Sequence, residues 1–147
     1  MNILFVCTGN TCRSAMAAAL MNKIAMENNL DVRIDSAGLL ANEGQRASEN
    51  AVSAAAQFGA DLSGHTAKQI TAELINASDI ILTMTKAHKQ MLGEAAGDKV
   101  YTLMEYARED GDINDPYGGS LDEYRECAHQ IYDALLKVKE RIAGNKN

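Results

Sequence analysis

The chain has 147 residues, and its 14 Lys+Arg against 20 Asp+Glu give a formal charge of −6 at pH 7. With 46% hydrophobic and 23% charged residues it reads as a globular protein large enough to bury a core without staples, which excludes a fibre, a disordered tail or a disulfide scaffold. Net acidity with scattered basic residues argues against nucleic-acid binding, and no apolar run approaches the roughly 20 residues of a membrane span. The opening MNILFVCTGN has no basic segment ahead of its apolar run, so it does not read as an export signal. Three cysteines in such a chain point to free thiols in a reducing compartment. A single domain over residues 1–147, located in the cytoplasm, is expected.

Asn2 to Val6 is a short apolar run of β-formers, and after CTGNTCRS the Ala- and Met-rich stretch Ala15 to Met26 favours helix. Val32 to Ile34 predicts a second strand, and Ser48 to Phe58 a helix stopped by Gly59. Ile80 to Met84 has strand length, with Thr85 as a cap for a helix through Leu92. Val100 to Leu103 predicts a fourth strand. Arg108 to Ser120, which holds the single proline Pro116, has no apolar periodicity and reads as a loop. Leu121 to Ile142 then repeats apolar residues at helical spacing through Tyr124, Ala128, Ile131, Leu135 and Val138. Apolar strands alternating with helices predict an α/β fold, a parallel sheet with helices on both faces. Ligands of such sheets sit at the carboxyl ends of the strands, which directs attention to the loop after the first strand.

In that loop Cys7 closes the strand, Gly9 allows a tight turn, and Arg13-Ser14 stands at the start of the following helix. A loop entering a helix N-terminus points unpaired N–H groups inward, and the helix dipole adds positive charge, so Thr8, Gly9, Asn10, Thr11 and Cys12 form a candidate cradle for phosphate or another oxyanion. Arg13 adds a planar, permanently charged fork that matches two phosphoryl oxygens. The same field favours the thiolate of Cys7, a nucleophile, and the Ser14 hydroxyl can donate to its sulfur. On spacing alone Cys7 could equally be a small buried hydrophobe and Arg13 a surface cation. A Walker-type nucleotide loop is excluded, because no Gly-Lys-Ser/Thr closes the motif. Phosphoryl transfer also needs an acid for the leaving group, and Asp115 in Asp115-Pro116-Tyr117-Gly118-Gly119 is the best-placed candidate, although it could be one of several solvated acids.

CTGNTCRS near the N-terminus, Ser36-Ala37-Gly38, Ser63-Gly64-His65 and the late Asp115-Pro116-Tyr117 occur together in that order. Over essentially its whole length the chain resembles the low-molecular-weight protein tyrosine phosphatases. The resemblance implies a four-stranded parallel sheet with helices on both faces, no metal and no organic cofactor. It assigns Cys7 as nucleophile, Arg13 as phosphate binder and Asp115 as general acid and then base. Asn10, Ser14, Ser36 and His65 match the polar network that holds the loop, and Cys12 matches the thiol that can pair with the nucleophile on oxidation. Cys127 reads as packing. Ala15 and Ala18 stand where many members have proline and glutamate, which leaves the helix start less rigid.

Thr11 occupies a position where typical tyrosine phosphatases of the family carry a bulky aliphatic residue, whereas the branch of protein arginine phosphatases carries threonine. A hydroxyl there can orient a polar guanidinium group, so phosphoarginine is favoured over phosphotyrosine as the phosphorylated side chain of the protein substrate. Leu39, Leu40 and Tyr117 are expected to complete the substrate walls. Two other readings compete. A thiol-dependent arsenate reductase uses a similar loop but needs a relay of further cysteines, and none lies between Cys12 and Cys127. A non-catalytic phosphate-binding module has no use for a thiolate. The apolar stripe of the last helix reads as core, so a monomer is expected.

Overall fold

A computed structural model describes residues 1–144 of the chain. Four strands, β1 (Asn2–Cys7), β2 (Arg33–Gly38), β3 (Ile80–Thr83) and β4 (Val100–Thr102), form one parallel sheet in the order β2-β1-β3-β4. Ile3, Leu4, Phe5 and Val6 are all buried, as a central strand covered on both faces requires. Ile3, Phe5 and Leu82 face α1 (Arg13–Glu27), α2 (Glu49–Gln57) and α6 (Leu121–Gly144), in a core completed by Met16, Leu20, Ala54, Ile131 and Leu135. Leu4, Val6 and Ile81 face the other way, toward α3 (Ala72–Ala77) and α4 (Lys86–Leu92), with Ile75 and Leu92. Each fully buried side chain of this size contributes roughly 1.5–3 kcal/mol of burial.

The expected fold class is what the chain adopts, with some boundaries moved. The second strand runs beyond Ile34 to Gly38, because Asp35, Ser36, Ala37 and Gly38 pair with Leu4, Phe5, Val6 and Cys7. The last strand stops at Thr102: its side chain accepts from the Glu105 N–H and Glu105 reaches back to the Thr102 N–H, a capping box that opens the four-residue α5 (Leu103–Tyr106). Met84 leaves the ladder of β3, donating to the Val6 carbonyl and accepting from the Ile113 N–H. Helix α3 and a 3-10 segment at Gly93–Lys99 fill stretches for which the sequence predicts nothing.

The sheet order places the end of β1 at a switch point. The chain leaves β1 toward β2 on one side and returns to β3 on the other, which opens a crevice at the carboxyl end of β1. Gly38, opposite Cys7, closes one wall of it. A Cβ on Gly38 falls 2.5 Å from the Thr8 carbonyl oxygen and 3.1 Å from the Asn10 nitrogen, both backbone atoms that cannot swing aside. Gly38→Ala is therefore expected to lower stability by about 1–3 kcal/mol and to deform the loop. Urea unfolding with an oxyanion-affinity measurement checks this, and a variant unchanged in both shows that the loop does not lean on Gly38.

Candidate active site

Residues Thr8 to Cys12 leave β1 and enter α1 at the crevice. Helices α2, α3, α4 and α5 are capped by the side chains of Ser48, Thr71, Thr85 and Thr102, and Ser120 accepts from the Glu123 N–H at the start of α6. Helix α1 differs: Cys12 stands at its N-cap and makes no side-chain capping bond. Its first N–H groups and its dipole are thus left for a ligand.

The loop is held by a buried asparagine. Asn10 is fully buried with φ 59°, a left-handed conformation that asparagine tolerates better than most residues. Its Nδ2 donates to Ser14 Oγ (2.8 Å), its Oδ1 accepts from the Lys68 N–H (3.1 Å), and its carbonyl accepts from His65 Nε2 (2.7 Å). A carbonyl can only accept, so His65 Nε2 is the donor of this bond. Ser14 Oγ lies 2.8 Å from Cys7 Sγ. Because that oxygen already accepts from Asn10, its own proton is free to go to the sulfur.

Arg13 is buried beneath the cavity, with Nη1 donating to the Ile113 carbonyl (3.0 Å) and Nη2 3.5 Å from Asp115 Oδ2. The Asp115 carboxylate is more than half exposed, and its Oδ1 accepts from the Tyr117 N–H at 3.0 Å. The segment that carries it is pinned at several points. The Ile113 N–H donates to Met84, Asp112 Oδ1 accepts from the Lys86 N–H, and Gln130 and Cys127 of α6 donate to the carbonyls of Asp112 and Asn114. Pro116 follows at once and fixes its own φ.

A cavity of about 350 Å³ brings together Cys7, Thr8, Gly9, Asn10, Thr11, Cys12, Arg13, Asp115, Leu40 and Tyr117. Leu40 and Tyr117 are exposed on its rim. Leu39 does not join them: β2 ends at Gly38, and in the turn that follows Leu39 packs against the apolar cluster of Leu4 and Val6 while Leu40 reaches the rim. Ser36 also departs from expectation. It sits on β2 opposite Phe5, and its hydroxyl takes no part in the hydrogen bonds that hold the loop. Asn42 and Gln45 line the cavity unforeseen, and Lys68 supports Asn10 through a backbone N–H that no sequence pattern announces.

All three thiols are free and buried. Cys12 Sγ lies 3.4 Å from Tyr124 Oη and 3.6 Å from Ser48 Oγ. Burial, with the contact to Cys12, pushes the Tyr124 hydroxyl up to about 12. Helix α6 packs against α1 and brings Cys127 beside Asn114, within electrostatic reach of Arg13 and Cys12. Burial pushes Cys127 up to about 12, so at neutral pH it is a thiol and packs as expected.

A thiol at the end of a central parallel strand, an uncapped helix N-terminus facing it, and a buried arginine beside a carboxylate define a cysteine-dependent phosphatase. The family model for low molecular weight phosphotyrosine protein phosphatase matches residues 2–147, and the chain belongs to that family. It is 40% identical over 150 residues to a protein-arginine-phosphatase of Bacillus subtilis (strain 168), covering 99% of each chain. It is also 40% identical over 141 residues to the low molecular weight protein-tyrosine-phosphatase PtpB of Staphylococcus haemolyticus (strain JCSC1435), covering 95% of this chain and 98% of the relative. Among solved structures, the C7S mutant of the YwlE arginine phosphatase with a phosphorylated active-site serine superposes with a TM-score of 0.95 at 38% identity, covering 99% of this chain and 98% of that one. Among the described residues no helix is long and apolar enough to cross a membrane.

Asn10→Ala removes both side-chain bonds and leaves the left-handed backbone without its support. A stability loss of about 1–3 kcal/mol is expected, with a larger proportional loss of turnover because Ser14 also loses its partner. Thermal unfolding set against kcat checks it; turnover that survives intact separates the loop's shape from Asn10.

Proposed function

We propose that this protein phosphatase hydrolyses phosphoarginine side chains of proteins through a phosphocysteine intermediate, in the cytoplasm. Cys7 attacks phosphorus in line while the loop N–H groups and Arg13 hold the equatorial oxygens. The 2.8 Å contact from Ser14 gives the sulfur a donor both as it attacks and as it leaves. Asp115, 3.5 Å from Arg13 at the cavity mouth, protonates the departing nitrogen or oxygen and then takes a proton from the water that cleaves the thiophosphate. A phosphorylated serine in the active site of the structurally similar YwlE mutant supports an attacking side chain in this fold. Three free, buried cysteines, Cys7, Cys12 and Cys127, support a reducing compartment.

The observation that carries the substrate choice is Thr11 in the cavity wall, beside Asn42 and Gln45. Together they offer hydroxyl and amide groups to a guanidinium, which an aliphatic residue at position 11 could not. The arginine phosphatase of Bacillus subtilis among the relatives agrees. Phosphotyrosine is the second reading, favoured by the PtpB relative and by exposed Tyr117, whose ring can stack on a phenyl group.

Comparing kcat/KM on a phosphoarginine peptide and a matched phosphotyrosine peptide, with Cys7→Ser as the inactive blank, decides between them. Preference for phosphoarginine is expected; preference for phosphotyrosine shows that Thr11 does not set specificity. Asp115→Asn is expected to lower kcat by about a hundredfold or more with little change in KM. A rise in KM matching the fall in kcat assigns Asp115 to binding instead.

A further inference from the structure

Among the described residues, the Nδ1 of His88 is the one buried side-chain nitrogen or oxygen with no hydrogen-bond partner. His88 is 5% exposed and lies on α4, where the hydroxyl of the capping Thr85 accepts from its backbone N–H at 3.1 Å. That cap fixes the backbone and directs the ring beneath the loop. Its Nε2 reaches Thr8 Oγ1 at 2.9 Å. The network of Asn10, Ser14 and His65 that shapes the loop makes no use of this contact.

Burial, and then the Arg13 guanidinium, hold the His88 pKa below the ordinary histidine value, against the opposite pull of Asp115 and Asp112. The neutral ring has one N–H. With the proton on Nδ1, an N–H donor is buried without an acceptor, an arrangement folded proteins largely avoid. A proton on Nε2 pairs the donor with Thr8 Oγ1 and leaves over only a lone pair. Thr8 then accepts from the ring, and its own proton has to point elsewhere. The residue is exposed and lines the cavity next to Cys7 and Arg13.

We propose that His88 is a positioning residue, which donates from Nε2 to Thr8 Oγ1 and so turns the Thr8 hydroxyl into a further hydrogen-bond donor for the phosphoryl oxygens. The proposal rests on the reading of the Thr8–Cys12 loop as the phosphoryl site. It adds to the backbone cradle a side-chain donor whose direction is set from a different layer of the fold. Since the group served is the phosphoryl oxygens, the effect is the same for phosphoarginine and for an aryl phosphate.

The first test needs no substitution: ¹⁵N NMR of the wild-type His88 ring at neutral pH. A proton on Nε2 alone supports the proposal, and one on Nδ1, alone or with Nε2, overturns it. The second is a double-mutant cycle read with para-nitrophenyl phosphate as substrate and inorganic phosphate as inhibitor. Thr8→Val and His88→Phe are each expected to lower kcat/KM and weaken phosphate inhibition by roughly tenfold, with no further loss in the double variant. His88→Gln, whose amide N–H can stand in for Nε2–H, is expected to recover most of it. Additive losses, or a His88→Phe that shifts only the melting temperature, sink the proposal, and Thr8→Val keeps the test alive if His88→Phe does not fold. If wild-type activity is not inhibited by phosphate at all, the loop reading falls and the proposal with it; inhibition retained with additive losses overturns the role of His88 alone.

Discussion

Everything in the cavity depends on one residue whose backbone takes a conformation that costs energy. Asn10, buried with φ 59°, turns the chain so that the N–H groups before α1 converge, and three hydrogen bonds with two other parts of the sequence hold it there. Two of them, from His65 and Lys68, come from the long connection between α2 and α3. The third passes through Ser14 to the sulfur of Cys7. One side chain therefore couples the shape of the Thr8–Cys12 loop to the environment of the Cys7 thiol. A left-handed non-glycine residue persists only where its surroundings over-determine it, and here they do.

The carboxylate side of the cavity is built on a different plan. Ile113, fully buried, receives Arg13 on its carbonyl and gives its N–H to Met84, so the end of β3, the start of α1 and the segment that carries Asp115 meet at one residue. Helix α6 adds Gln130 and Cys127 from behind. Asp115 itself stays largely in water, close enough to Arg13 to be oriented and exposed enough to exchange protons. The rigid part of this loop ends where the chemistry begins.

The strands, the long helices and the Cys7–Ser14 loop were legible in the sequence because each leaves a local signature: an apolar run, a helical repeat or a loop-to-helix junction. Helices α3 and α5 were not, since one or two turns are too short to show a period; α5 joins a capping box to just two buried residues, Leu103 and Tyr106. The polar end of β2 was missed because backbone pairing with β1, and not side-chain pattern, carries the strand to Gly38. Leu39 was assigned to the wall together with Leu40 and Tyr117, but the turn after β2 packs Leu39 into the apolar cluster and leaves the wall to the other two. Ser36 matched a family position, yet its hydroxyl lies outside the network. His88 had a visible signal, a histidine three residues after a capping threonine, but its partner Thr8 lies 80 positions away.

The uncapped start of α1 has a thermodynamic side. Each of the other α-helices has a side chain bound to its first turn, whereas α1 has none. If the loop holds phosphate as proposed, an oxyanion that binds only the folded chain stabilises it by mass action, and the free enzyme is then less stable than its phosphate complex. On the proposed reading of the loop, product inhibition and protection against unfolding are two faces of one equilibrium.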